Sequence, residues 1–127
     1  MRKSKFKIEY PLNNASLSIL WNSISTVHGL SEWFADDVSS EDTIYTFKWD
    51  DWEQKATLLH ARQNTYIRFQ WNEDKGTEAY FEIKIVPSEL SSDLVLYVTD
   101  FADPSEIEDS ILLWNKQIEA LKRVTGM

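Results

Sequence analysis

The chain has 127 residues, enough to bury one core and too few for two domains of ordinary size. Lys and Arg number 13 against 21 Asp and Glu, a net charge of −8, which disfavours nucleic acid because phosphate binding needs a basic stripe. The lack of cysteine removes disulfides, thiolate metal sites and thiol nucleophiles together, and no apolar run approaches the ~20 residues that cross a bilayer. The expectation is a soluble, cytoplasmic single domain over residues 1–127, without membrane insertion. It is rich in aromatics, with six Trp, five Tyr and six Phe to distribute between core and site.

From Lys5 to Tyr10, apolar Phe6, Ile8 and Tyr10 alternate with Lys5, Lys7 and Glu9, the period of a half-buried strand, and Pro11 is expected to end it. Polar Asn13–Ser16 then offers helix caps. Leu17, Leu20, Trp21 and Ile24 follow at the spacing of a short amphipathic helix, with Gly29 as its punctuation. Ser31–Phe34 reads as one further helical turn capped by Ser31.

The middle of the chain is β. Thr43–Trp49, Trp52–Ala61, Asn64–Asn72, Glu78–Val86 and Leu94–Phe101 read as strands, with turns at Asp50–Asp51 and Asp74–Gly76. Directly opposed residues share a face, so hairpin registers can be tested against one another. Pairing Trp49 with Trp52, His60 with Ile67 and Trp71 with Ala79 gathers Tyr45, Phe47, Trp49, Trp52, Ala56, Leu58, Ile67, Phe69, Trp71, Ala79, Phe81, Ile83 and Ile85 on one greasy face. The other face carries Lys48, Lys55, Arg68, Gln70, Glu82 and Lys84. The last strand stays open: either Val95, Tyr97 and Phe101 turn inward, or Leu94, Leu96 and Val98 do.

The longest helix closes the chain, from about Pro104 to Val124. Asp103-Pro104-Ser105-Glu106 resembles a capping box with proline in the first turn, and Gly126 suits the C-terminal cap. Ile107, Ile111, Trp114, Ile118 and Leu121 form one stripe, expected to pack on the greasy face. The predicted fold is α+β, an antiparallel sheet gripping a long C-terminal helix.

This order, together with the string Gly29-Leu30-Ser31-Glu32-Trp33-Phe34, resembles the helix-grip arrangement of START-like (SRPBCC) domains. It is similar in particular to those related to the activator of the heat-shock-protein-90 ATPase. Phe47-Lys48-Trp49, Phe69-Gln70-Trp71, Thr99-Asp100-Phe101-Ala102 and Leu113-Trp114 also sit where such proteins carry similar strings. The resemblance implies a curved sheet wrapped around the last helix, and relatives that are small stand-alone bacterial domains. It further implies either a lipid-like ligand held between sheet and helix or, in other members, an interaction module that holds none. It points weakly to a chaperone as a protein partner.

The candidate ligand-binding residues are Trp33, Phe34, Phe47, Trp49, His60, Phe69, Trp71, Phe81, Trp114 and Ile118, an apolar lining with one histidine. The competing reading is a filled core, since only Ala56 and Ala79 are small on the greasy face and each buried aromatic hides ~150–250 Å². His60 is expected inward beside Ile67; a lone histidine makes no catalytic constellation. An enzyme would need an inward polar cluster around His60, Gln54 or Asp100, so the chain reads as a non-enzymatic binding domain without a cofactor. The acid groups at Asp36–Asp37 with Glu41–Asp42, and at Asp50–Asp51 with Glu53, read as solvated turns rather than a cation site. A two-fold homodimer is expected if the aromatic set of the last strand turns inward and leaves Leu94, Leu96 and Val98 as an outward stripe.

Overall fold

The computed structural model describes residues 2–127. Nine residues of alternating exposure open the fold as β1 (Ser4–Leu12). Two short helices follow, α1 (Leu17–Ser25) and α2 (Val27–Trp33). Six more strands come next: β2 (Asp37–Glu41), β3 (Ile44–Trp49), β4 (Trp52–Arg62), β5 (Tyr66–Trp71), β6 (Phe81–Pro87) and β7 (Leu94–Ala102). The helix α3 (Ile107–Thr125) ends the chain. All seven strands pair antiparallel in the order β1-β7-β6-β5-β4-β3-β2. The curved sheet carries its apolar side against α3, so the α+β helix-grip arrangement expected from the sequence is the one observed.

The core follows from the alternation. Phe47, Phe69, Phe81, Ile67 and Ile83 are at most 2% exposed on the inner side of the sheet, and Trp114, Ile118 and Leu121 of α3 are buried against it. The registers Trp49↔Trp52, Phe47↔Gln54, Ala56↔Trp71, Leu58↔Phe69 and Phe69↔Phe81 match those expected. Gly126 caps α3 in the left-handed conformation, with φ 75°. The helix itself begins later than predicted: Asp103 caps a 3₁₀ turn at Pro104–Glu106 by accepting from the Ser105 N–H, and α-helical bonding starts at Ile107.

The last strand resolves to the aliphatic choice. Leu96 and Val98 are fully buried, while Val95, Tyr97 and Phe101 belong to the outer face. The outward aliphatic stripe that motivated the homodimer is therefore not formed. The outer face here is instead a mosaic, with Lys7 over the Tyr97 ring, Glu9 accepting from the Tyr97 hydroxyl, and Phe101 edge-on to Tyr80.

Five local expectations are corrected. Strand β1 runs through Pro11 to Leu12, paired with Val95 and Leu94; an edge strand tolerates a residue without an N–H. A strand the sequence did not announce, β2, covers Asp37–Glu41, and its polar make-up conceals it. Strand β6 starts at Phe81 rather than Glu78, because Gln70 reaches across and donates to the carbonyls of Thr77 and Ala79 in place of the ladder. A bulge in β4 after Leu58 shifts the register by one, so Ala61 opposes Ile67 and His60 opposes Arg68. His60 thus lies exposed on the outer face, bonded to the Tyr66 hydroxyl.

The fifth correction concerns Gly29. It does not end a helix but sits inside α2, whose N-cap is Thr26, not Ser31; the Thr26 hydroxyl accepts from the Gly29 N–H at 2.9 Å. A Cβ there would fall 2.7 Å from the Ser23 Cα and closer still to the Asn22 carbonyl oxygen, so glycine is what lets α1 and α2 cross in contact. Both opposing atoms are backbone and cannot turn aside. Gly29→Ala is therefore expected to destabilise the domain by ~1–3 kcal/mol, as overpacking does. Thermal melting by circular dichroism should show a drop of several degrees; an unchanged midpoint would refute the close-crossing account.

Candidate functional site

The site is built around the end of α2. Phe34, the residue that closes that helix, puts its ring 5.2 Å from Phe47, 5.9 Å from Trp49, 5.7 Å from Phe81 and 5.8 Å from Trp114. Its carbonyl accepts from the indole of Trp49 and from the side-chain amide of Gln117, each at 3.0 Å. One residue thereby locks α2, the sheet and α3 together. Beyond this junction, on the solvent side, the sheet and α3 part.

They part into a half-open cleft of about 560 Å³. Its aromatic wall is Phe34, Trp49, Trp52, Trp71 and Trp114, and its polar groups are Lys3, Gln54, Glu73, Asp100, Glu106 and Gln117. Trp49 and Trp52 oppose one another across the β3–β4 turn and stack at 4.9 Å, and Trp71 lies 6.3 Å from Trp49. Trp52 is 55% exposed, so its ring offers apolar surface to the cleft.

Asp100 is the one strongly perturbed carboxylate in the cleft. Alternation with Leu96 and Val98 turns it inward, where its two oxygens accept from the Trp114 indole at 2.8 Å and from the Phe101 N–H at 2.7 Å. Burial pushes its carboxyl from the ordinary 3.8 up to about 6; both hydrogen bonds and the Lys3 ammonium oppose that rise without cancelling it. Burial also works against the Lys3 ammonium, yet its contact with buried Asp74 (2.9 Å) and the surrounding acids hold its pKa above the ordinary value.

Of the ten residues singled out in the sequence, the structure brings Phe34, Trp49, Trp71 and Trp114 to this cleft. Trp33, Phe47, Phe69, Phe81 and Ile118 are packed in the core beneath it, Trp33 donating to the Ser23 carbonyl at 2.8 Å. His60 is on the opposite side of the sheet. In the sequence Gln54 and Asp100 stand only as members of a polar cluster an enzyme would need, Glu106 only as part of a helix cap, and Lys3, Glu73 and Gln117 carry no site signal. Asp100 becomes visible once the inward set of its strand is known; the others are assembled by tertiary packing.

A second hollow of about 600 Å³ lies beside the β5–β6 connection, between Arg2, Lys3, Glu73, Asp74 and Glu78. Its charges are already paired, Arg2 with Glu78 at 2.8 Å and Lys3 with Asp74, and it has no aromatic wall. Among the described residues no group of three or more His, Asp or Glu is placed to hold a metal ion, and no helix is long and apolar enough to cross a membrane.

The family model of the START-like superfamily domain matches residues 1–127. The chain belongs to this superfamily. A chain of known solution structure, BfR322 from Bacteroides fragilis, is 42% identical over 98% of this chain and 92% of that one, with a TM-score of 0.69. The Aha1 dimer from Colwellia psychrerythraea superposes with a TM-score of 0.79 at 11% identity, covering 96% of each chain. DynU16, a putative protein of the dynemicin biosynthetic locus, gives 0.77 at 15% identity, over 94% of this chain and 46% of that one. At those identities the last two share the fold. No curated protein matches the chain.

The folded START-like domain holds the Asp100 proton up to about pH 6, whereas the unfolded chain releases it near 3.8. The folded state therefore binds more protons between those values, and this residue's contribution to stability falls as pH rises through that window. Asp100→Asn removes the titration. Relative to wild type, the variant should gain roughly 2 kcal/mol in unfolding free energy between pH 4 and pH 7. Urea titrations at the two pH values measure it; a constant difference would mean that the carboxyl is not perturbed.

Proposed function

We propose that the domain is a non-enzymatic binding module that takes a small, largely apolar molecule in the cleft between the sheet and α3. The observation that supports this reading is the exposed tryptophan wall. Trp52, Trp49 and Trp71 present indole surface to a space of about 560 Å³, within the ~300–1,000 Å³ range of small-molecule sites. The ligand lies at the mouth of the grip and not deep within it, because Phe47, Phe69 and Phe81 fill the interior. Gln54, Gln117 and Asp100 supply the few polar groups that orient it. Catalysis has little to work with here: Asp100 is engaged by two N–H donors, and among the described residues no nucleophile or second titrating group hydrogen-bonds to it.

The alternative, a protein-interaction module of the chaperone-activator type, draws on that same filled interior and on the likeness to a dimeric Aha1. Self-association belongs to that reading. Sedimentation at high micromolar concentration separates the two, because a ligand-binding monomer stays monomeric.

The ligand reading is tested with N-phenyl-1-naphthylamine, an uncharged fluorescent probe. It should bind the wild type with quenching of tryptophan emission. Trp52→Ala should weaken it about tenfold, the equivalent of ~1.4 kcal/mol of lost apolar contact, while His60→Ala leaves it unchanged. Failure of the probe to bind, or equal loss in both variants, would defeat the cleft as the site.

A further inference from the structure

Resting on that reading, we infer that the molecule held in the cleft is an organic cation, a quaternary or protonated amine seated against the tryptophan faces. The inference comes from the charges that line the same space. Four lining residues are ionisable: Lys3, Glu73, Asp100 and Glu106. The one cation among them is already occupied, because the Lys3 ammonium contacts both carboxylate oxygens of buried Asp74, at 2.9 and 3.2 Å. Among the described residues, none of the three acids has a cationic side chain in ion-pair contact. Their recorded partners are neutral donors: Gln54 for Glu73 at 2.6 Å, and the Trp114 indole and Phe101 N–H for Asp100.

The choice between ligand classes follows from what covering the cleft does to these groups. A neutral apolar molecule would gain contact with the indoles but strip water from the exposed Glu73 and Glu106 carboxylates and give nothing back, which is costly for charged groups. An anion would meet repulsion from all three. A cation gains the same apolar contact and pairs with the acids. It also gains the attraction of aromatic faces for positive charge, strongest for tryptophan. Five aromatic rings and three acids without an ion pair around one space form the arrangement that recognises an alkylammonium group. Asp100 adds a pH dependence: Glu73, Asp74, Glu106 and Lys3 surround it, and as pH falls through about 6 its protonation removes one of the attracting charges.

The test compares choline with 3,3-dimethylbutan-1-ol, in which carbon replaces the charged nitrogen and the shape is kept. Tryptophan indole N–H resonances of the intact protein are followed by NMR as each is added at pH 7.5. Choline should bind about tenfold more tightly than its isostere. The exposed pair Glu73→Gln/Glu106→Gln should erase most of that difference, and lowering the pH to 5 should erode it in the wild type. Equal affinities, or a preference for the alcohol, would overturn the cationic assignment and leave the cleft as an apolar site. Binding of N-phenyl-1-naphthylamine with no response to choline would overturn it equally. If none of the three probes moved the cleft indoles, the binding reading itself would fall.

Discussion

Phe34 is the joint on which the architecture turns. A sheet and a helix can pack face to face by apolar contact alone, but that contact is non-directional and leaves their relative angle loose. Here four rings from β3, β6 and α3 surround one phenyl group, and its carbonyl takes two side-chain N–H donors, using both lone pairs. Aromatic pairs contribute ~0.5–1.5 kcal/mol each beyond their area, but geometry matters more than the sum. The directional bonds fix where α2 stops, and hence where the sheet must begin to diverge from α3. The cleft is the space left on the far side of that joint.

The same logic explains why the interior is solid while its mouth is lined with indoles. Phenylalanine has no polar atom to satisfy, and Phe47, Phe69 and Phe81 can vanish into the centre. Tryptophan must place its N–H. Trp49 finds the Phe34 carbonyl, Trp33 the Ser23 carbonyl and Trp114 the Asp100 carboxylate. These acceptors lie where helices end or strands meet solvent, so the tryptophans collect at the margins of the core. Their position is as much a matter of hydrogen-bond supply as of hydrophobicity.

What the sequence showed, and what it hid, divides along the same line. Alternation set the inner face of β3, β4 and β5 correctly up to Leu58, because each residue there opposes its partner one for one. One extra residue at the bulge was enough to carry His60 to the other side, and no pattern of apolar residues marks it. Strand β2 was hidden because Asp37, Ser39, Ser40 and Glu41 lack apolar alternation. Gly29 was misread because glycine has two uses, ending a helix or letting two backbones touch, and only the crossing partner tells which. The aromatic half of the cleft was legible as a list of large residues. Its polar half joins Lys3, Glu73, Asp100 and Glu106 across distant segments, and such a juxtaposition exists only after folding.

The sheet is open, and the two rails at its margins differ from the strands between them. On β1 the rail is broken by Pro11, which has no N–H to offer. On β2 it is five residues long and flanked by acids at Asp37 and Glu41. Neither margin is a good template for another strand, and both devices are those by which natural sheets escape edge-to-edge growth. An open seven-stranded sheet so rich in aromatics would otherwise be a candidate for fibrous stacking. With both rails blunted, neither margin invites one sheet to extend into the next.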